Sequence, residues 1–310
     1  MVTVKELENF KEYGRVLSIS NGVICALVTI DVGPRIISFG FEGGQNIMND
    51  DRIAFGSMSD EKYEAFFGEG KKWENFGGHR IWLSPESYPE TYYPDCDKVG
   101  YEKTESGAIF TPKAEHENSV AKCLEIKMDP DGSNMQVIMH AKNIGDKPLQ
   151  FAIWALSVSA KGGTAIIPMN TNDTGLLHNR VVAVWPYTDM SDDRIYWGKK
   201  YVTVKQDINA QNPLKLGFDL NGGTVYYVLG DDIFCKNYDV NHPKGTYPDG
   251  GVSFETYTNN TFIELESLGE LKTVAPNETV SHTERWSLVK KPCEADLKND
   301  ASIDELLSKI

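Results

Sequence analysis

Residues 15–30 read RVLSISNGVICALVTI, two alternating apolar runs (15–20 and 23–30) on either side of Asn21-Gly22. Alternation with period two puts every second side chain on one face of a strand. Asn-Gly supplies the positive φ values that a two-residue hairpin turn requires. The same pattern repeats outward from this hairpin. Runs at 35–41, 124–128, 135–141, 151–160, 165–168, 201–206, 224–229, 233–238, 253–258, 262–267 and 280–289 are separated by Gly, Asn, Asp or Pro. DPDGSN (129–134) joins two of them as a hairpin turn, and Asn259-Asn260 joins two more. Helical signals are few. Short helices are expected at 5–13 and 61–67, and Ser302 with Glu305 forms a capping box that opens a C-terminal helix over 302–310. This many strands, with no internal repeat or Pro/Ser-rich linker, predicts an all-β chain folded as one large antiparallel β-sandwich domain over 1–310.

The 310 residues carry 31 Lys+Arg against 45 Asp+Glu, a formal net charge of −14. Nucleic-acid affinity comes mainly from Lys and Arg neutralising phosphates, so this balance argues against a nucleic-acid partner. The N-terminus MVTVKELENFKEYGR lacks the apolar core of a signal peptide, and no stretch approaches the length of a membrane span. Cys25, Cys96, Cys123, Cys235 and Cys293 are odd in number and widely spaced, which suits free thiols in a reducing cytoplasm. A soluble cytoplasmic protein is expected, with no cofactor and no membrane partner.

Three stretches carry chemistry-bearing residues. The first, GGHRIWLSPE (77–86), brings His79, Arg80, Trp82 and Glu86 together behind two glycines in what reads as a loop, with Tyr88, Tyr92, Tyr93 and Asp95 close behind. Aromatic faces between charged planar groups suit sugars, whose CH faces stack while their hydroxyls take directional hydrogen bonds. A rigid loop with Arg80 paired to Glu86 and Trp82 in the core explains the same residues. In the second, FIELES (262–267), Glu264 and Glu266 share one strand face. Such a pair belongs either to a solvated surface or to a polar site in which crowding raises one pKa. The third is the turn YPDGG (247–251) with Asp249. The other histidines, His116, His140, His178, His242 and His282, show no metal-ligand spacing, and no metal site is expected. Nucleophile-elbow, P-loop and dinucleotide motifs are missing from suitable contexts.

VGPRIISF (32–39), GGHRIWLSPE (77–86) and FIELESLGELKTVAPNETVSHTERWSL (262–288) together resemble the galactose-mutarotase-like superfamily. Within it they resemble a bacterial branch grouped only as a domain of unknown function. The resemblance implies a large antiparallel β-supersandwich with a sugar-binding cleft on one sheet. It also implies aldose 1-epimerase chemistry, in which a late-strand Glu takes the anomeric proton and a His protonates the ring oxygen. Glu266 matches the Glu best, with Glu264 as the alternative on the same strand face. Arg35 and Arg80 are implied to lie near sugar hydroxyls. The family's His falls on a central strand, where this chain has FAIWAL (151–156) with Trp154 at or near that place. Trp cannot transfer a proton at neutral pH, so His79 is the remaining candidate for the acid. Three functions follow: an epimerase using Glu266 and His79, with Arg35, Arg80, Glu86 and Asp249 on hydroxyls and Trp82 or Trp154 stacked on the ring; a sugar- or glycan-binding protein without turnover; and a glycoside-active enzyme pairing Glu86 with Glu266.

Overall fold

The computed structural model describes residues 1–52, 56–241 and 244–310. Two large antiparallel sheets dominate it. One sheet runs, in spatial order, Thr3–Leu7, Val16–Ser20, Ile24–Thr29, Ile36–Phe41, Gly78–Ser84, Leu149–Ser159, Ile263–Leu268, Phe254–Thr258, Leu214–Phe218 and Val182–Val184, with Lys272–Val274 paired to the start of Leu149–Ser159. The other runs Ile195–Trp197, Tyr201–Lys205, Thr164–Pro168, Thr224–Leu229, Asp232–Tyr238, Thr279–Lys290, Asn134–Asn143, Val120–Met128, Gly107–Thr111 and Gly100–Lys103. This is the all-β antiparallel sandwich expected from the alternating runs.

A hairpin forms there, with Val16–Ser20 registered against Ile24–Thr29, but its turn is centred on Gly22-Val23 and not on Asn21-Gly22: the Asn21 N–H bonds the Ile24 carbonyl, and of the expected pair only Gly22 has a positive φ, 89°. The inward members of each strand meet between the sheets. Phe39, Phe234 and Trp286 pack there edge to face, with ring centroids 5.1–5.8 Å apart, the arrangement that aromatic quadrupoles favour. Leu149–Ser159 differs from the alternating strands because it is buried on both faces beyond its first two residues. Its inward face meets the core, and its outward face, Trp154 and Leu156, packs with Trp82 and Leu268 in a second apolar cluster. A continuous apolar run is what a strand covered on both sides needs.

Two of the helical expectations are corrected. Residues 5–13 are not a helix: Thr3–Leu7 is a strand that pairs with Val16–Ser20, followed by a 3-10 turn at Lys11–Tyr13. Val2 and Val4 pack on the core there, so tertiary pairing overrides the weak local helical preference. The C-terminal helix is Asp300–Leu307, and its N-cap is Asn299, which accepts from the backbone N–H of Ala301 and Ser302, so Ser302 is not the cap. Ile303 and Leu306 dock it on Ile166 and Ile233 of the second sheet. Glu61–Phe67 is helical as expected, with Asp60 accepting from the Tyr63 N–H as its N-cap.

Candidate active site

The stretch read as a loop around GGHRIW is the strand Gly78–Ser84, and strand geometry decides what each of its residues can do. Arg80 and Trp82 lie on the outward face, opposite Leu156 and Trp154 of the neighbouring strand. His79, one residue off, points the other way. Its ring is fully buried between the sheets, with Nδ1 2.9 Å from Ser157 Oγ and 3.9 Å from Glu284 Oε2. Burial holds the His79 imidazole down at about 3, against the pull of Glu284. His79 and Glu266 therefore occupy opposite faces of the sheet, and the structure does not bring this pair together.

On the outward face, a turn centred on Asn260-Thr261, one residue beyond the expected Asn259-Asn260, registers Phe254–Thr258 against Ile263–Leu268 so that Glu255 stands directly opposite Glu266. Both carboxyls are fully buried. Lys215, from the next strand, bridges them, with Nζ 2.8 Å from Glu255 Oε2 and 3.2 Å from Glu266 Oε2. Trp154 Nε1 donates to the same Glu266 oxygen at 2.9 Å. Among the described residues, Glu255 Oε1 and Glu266 Oε1 have no hydrogen-bond partner. Burial pushes the Glu255 carboxyl up to about 9, with Lys215 opposing and Glu266 adding to the rise. Burial also pulls the Lys215 ammonium down, but Glu266 and Glu255 beside it more than offset this and hold it above the ordinary lysine value.

Above these carboxyls opens a cleft of about 420 Å³, lined by Met58, Pro85, Glu86, Tyr88, Tyr92, Trp154, Trp185, Lys215, Asp249 and Glu255. Glu86 accepts from the Tyr92 hydroxyl, and Asp249 Oδ2 accepts from Ser84 Oγ at 3.4 Å. Asp249 sits at a left-handed φ of 51° in the turn before Phe254–Thr258, a conformation that Asp tolerates better than most residues. The Lys215 ammonium lies over the faces of Trp154 and Trp185, 4.5 and 4.7 Å from the ring centroids.

The remaining predicted residues divide between two neighbouring places. Arg80 pairs with Glu264, not Glu86: Nη2 donates to Glu264 Oε1 at 3.1 Å, while the guanidinium lies over Trp82 at 4.2 Å. Nε and Nη1 of Arg80 find no hydrogen-bond partner among the described residues. Burial pushes the Glu264 carboxyl up to about 7, with Arg80 opposing and Glu266 adding. Arg35 lies away from the carboxyl pair. It is ion-paired to Asp95 at 2.5 Å and faces a separate cavity beside Trp82, Tyr93 and Lys122. Glu86 lies on the cleft wall, and the partner across from Glu266 is Glu255. His242 lies outside the described residues. Among the described residues, no group of three or more His, Cys, Asp and Glu side chains is arranged to hold a metal ion, and no helix is long and apolar enough to cross a membrane.

Sequence reasoning missed Glu255, Lys215 and Trp185. Counting back from a two-residue Asn259-Asn260 turn puts Glu255 across from Glu264; the turn is centred one residue further on, at Asn260-Thr261, and this shift sets Glu255 across from Glu266. Lys215 and Trp185 enter through pairings far apart in sequence, and no local pattern marks them.

No protein-family model matches the sequence, and no curated protein matches it. Solved structures do. A galactose mutarotase-like protein from Clostridium acetobutylicum superposes with a TM-score of 0.55 at 11% identity, over 93% of this chain and 99% of that one. A galactose mutarotase-like protein from Lactobacillus casei gives 0.53 at 10% identity, over 88% and 100%. The chain has the galactose mutarotase-like fold. A TPR-domain-containing protein from Parabacteroides distasonis superposes as well, with a TM-score of 0.57 at 12% identity over 94% of this chain, which spans about half (51%) of that chain's length. In this mutarotase-like sandwich, the cleft and its carboxyls stand on the outward face of the sheet, while His79 points into the space between the sheets.

Proposed function

We propose that the cleft binds a sugar and interconverts its anomers by acid/base ring opening, with Glu266 as base and Glu255 as acid. The observation that supports this most is the facing pair itself, two buried carboxyls sharing Lys215 at the bottom of an aromatic-lined cleft. The anomeric hydroxyl and the ring oxygen are bonded to the same carbon, so an acid and a base for ring opening must stand side by side. Glu266 Oε1 is unpartnered and takes the hydroxyl proton. As the carbonyl forms, the bond from the anomeric carbon to the ring oxygen breaks, and that oxygen takes the proton from Glu255, the carboxyl held protonated at neutral pH. After rotation of the aldehyde, both transfers run backward on the other face and restore the pair. Lys215 keeps one positive charge between the carboxyls through every step. Trp154, in this reading, orients Glu266 by its indole N–H, and Glu255 replaces His79 as the acid.

Saturation-transfer NMR of anomer exchange tests the proposal. Glu266→Gln and Glu255→Gln are each expected to slow exchange by about 10²–10⁴-fold, with sugar binding retained. Full activity in either variant removes that residue from its role. A second reading, sugar binding without turnover, is favoured by the complete burial of Glu266 behind Trp154 and Lys215. Saturable binding with no acceleration of exchange would establish that reading instead.

A further inference from the structure

The charges on the cleft walls narrow the ligand class, a step that rests on the sugar-site reading above. Glu86, Asp249 and Glu255 line the cleft, and Glu266 lies against its floor, against a single cationic lining residue among the described residues, Lys215. Lys215 is already engaged by both floor carboxyls. Glu86 and Asp249, on the walls, have only hydroxyl partners, from Tyr92 and Ser84, and neither has an ion-pair partner among the described residues. Lys62, which approaches Tyr88, is held by that residue's backbone carbonyl at 2.6 Å. An anionic sugar entering here would meet two uncompensated carboxylates and, among the described lining residues, no free cation.

Two further observations point to what fits instead. Glu255 is fully buried and lines the cleft, and its Oε1 has no partner, so a donor on the ligand has an acceptor or hydroxyl waiting at the floor. The walls are also built from Tyr88, Tyr92, Trp154 and Trp185, and two of these rings already take an ammonium, that of Lys215, on their faces at 4.5 and 4.7 Å. Aromatic faces beside carboxylates are the usual surroundings of a bound organic cation. We propose that the cleft selects an amino sugar, a hexosamine with a free ammonium, whose charge is held by Asp249 and Glu86 while its anomeric end reaches the Glu255–Glu266 pair.

Calorimetric titration at a pH where the amine is protonated tests this with glucosamine and galactosamine. The comparison ligands are the parent hexoses, the N-acetyl derivatives and glucuronate. One amino sugar is expected to bind about tenfold or more tightly than its parent hexose, since a charge-assisted contact replaces a neutral one. N-acetylation should remove the gain. Asp249→Asn keeps a residue that accepts the left-handed backbone, and it should bring the amino-sugar-to-hexose ratio close to one. A parent hexose or glucuronate binding as tightly as the amino sugar overturns the inference and leaves the sugar site standing. No binding by any of these sugars overturns both.

Discussion

Replacing Lys215 with Met keeps an unbranched stem and removes the ammonium that stands between Glu255 and Glu266. At an effective dielectric of about 20, one charge pair about 3 Å apart has a gross attraction of about 5 kcal/mol. The distances here, 2.8 and 3.2 Å, place an oxygen of each carboxyl within that range, whichever of the two carries the charge. Part of the attraction is offset by the desolvation of Lys215 itself. Removing one partner of a buried ion pair nevertheless costs about 3–5 kcal/mol, because the charge left behind has no compensation. The fold has one escape, which is to keep a further proton on the carboxyl pair. The unfolded chain releases that proton above the ordinary Glu pKa of about 4.3, so the folded variant binds more protons than the unfolded one over the window above it. Its stability then falls as pH rises, by up to about 1.4 kcal/mol per pH unit relative to the parent protein. Urea unfolding of both proteins from about pH 5 to about pH 8 measures the difference directly. A deficit that stays flat across that range, or one below about 1 kcal/mol at the upper end, would refute the view that Lys215 compensates a buried carboxyl pair.

His79→Leu tests the other side of the sheet. The buried imidazole stays neutral down to about 3 while the unfolded one protonates near 6.5, so stability is lost as pH falls through that window. The variant should lose one proton's share of the slope of unfolding free energy against pH between about 6 and about 4, with anomer exchange per folded molecule unchanged. Trp154→Phe deletes the indole donor on Glu266 Oε2 and leaves a ring in place. It should slow anomer exchange by about tenfold and lower stability by about 1–2 kcal/mol, read by NMR exchange and urea melts. Gly78→Ala would place a Cβ 2.4 Å from the Ile36 carbonyl oxygen at a φ of +61°. A loss of more than about 2 kcal/mol is expected from thermal or urea unfolding.

The strands were legible because their signal is local. Asn21-Gly22 and Asn259-Asn260 each lie between two alternating runs, and both hairpins form, each with its turn centred one residue further on, at Gly22-Val23 and Asn260-Thr261. The N-terminal segment misled because Thr3–Leu7 is an edge strand, stabilised by a partner and a core that local propensity does not report. The candidate site divides along the same line. Glu264 and Glu266 are identifiable as a same-face pair from strand periodicity alone, and both point outward from the sheet. A loop over 77–86 does not separate Arg80 from His79, since only strand periodicity sends adjacent side chains to opposite faces. Lys215 reaches the site through the pairing of Leu214–Phe218 with Phe254–Thr258, a contact made by the sheet and not by any motif. Arg35 was assigned by resemblance alone, and its ion pair with Asp95 comes from a distant loop.

The strand Ile263–Leu268 carries charge chemistry on both sides. Glu264 and Glu266 face Arg80 and Lys215 outward, while Ser267 turns inward to His282 at 2.7 Å and Glu284 at 2.6 Å, and the Leu265 carbonyl accepts from buried Lys236 at 2.8 Å. An ordinary strand with one greasy side and one wet side loses only hydrophobic burial when it pairs one residue out of step. Here such a slip would drive two glutamates against Glu284 and turn Leu265 and Ser267 toward Lys215 and Arg80, leaving unmatched charges in both layers. Misaligned pairings are thus penalised electrostatically as well as by packing, so the same residues that furnish the cleft also proofread the assembly of the sheet that carries it.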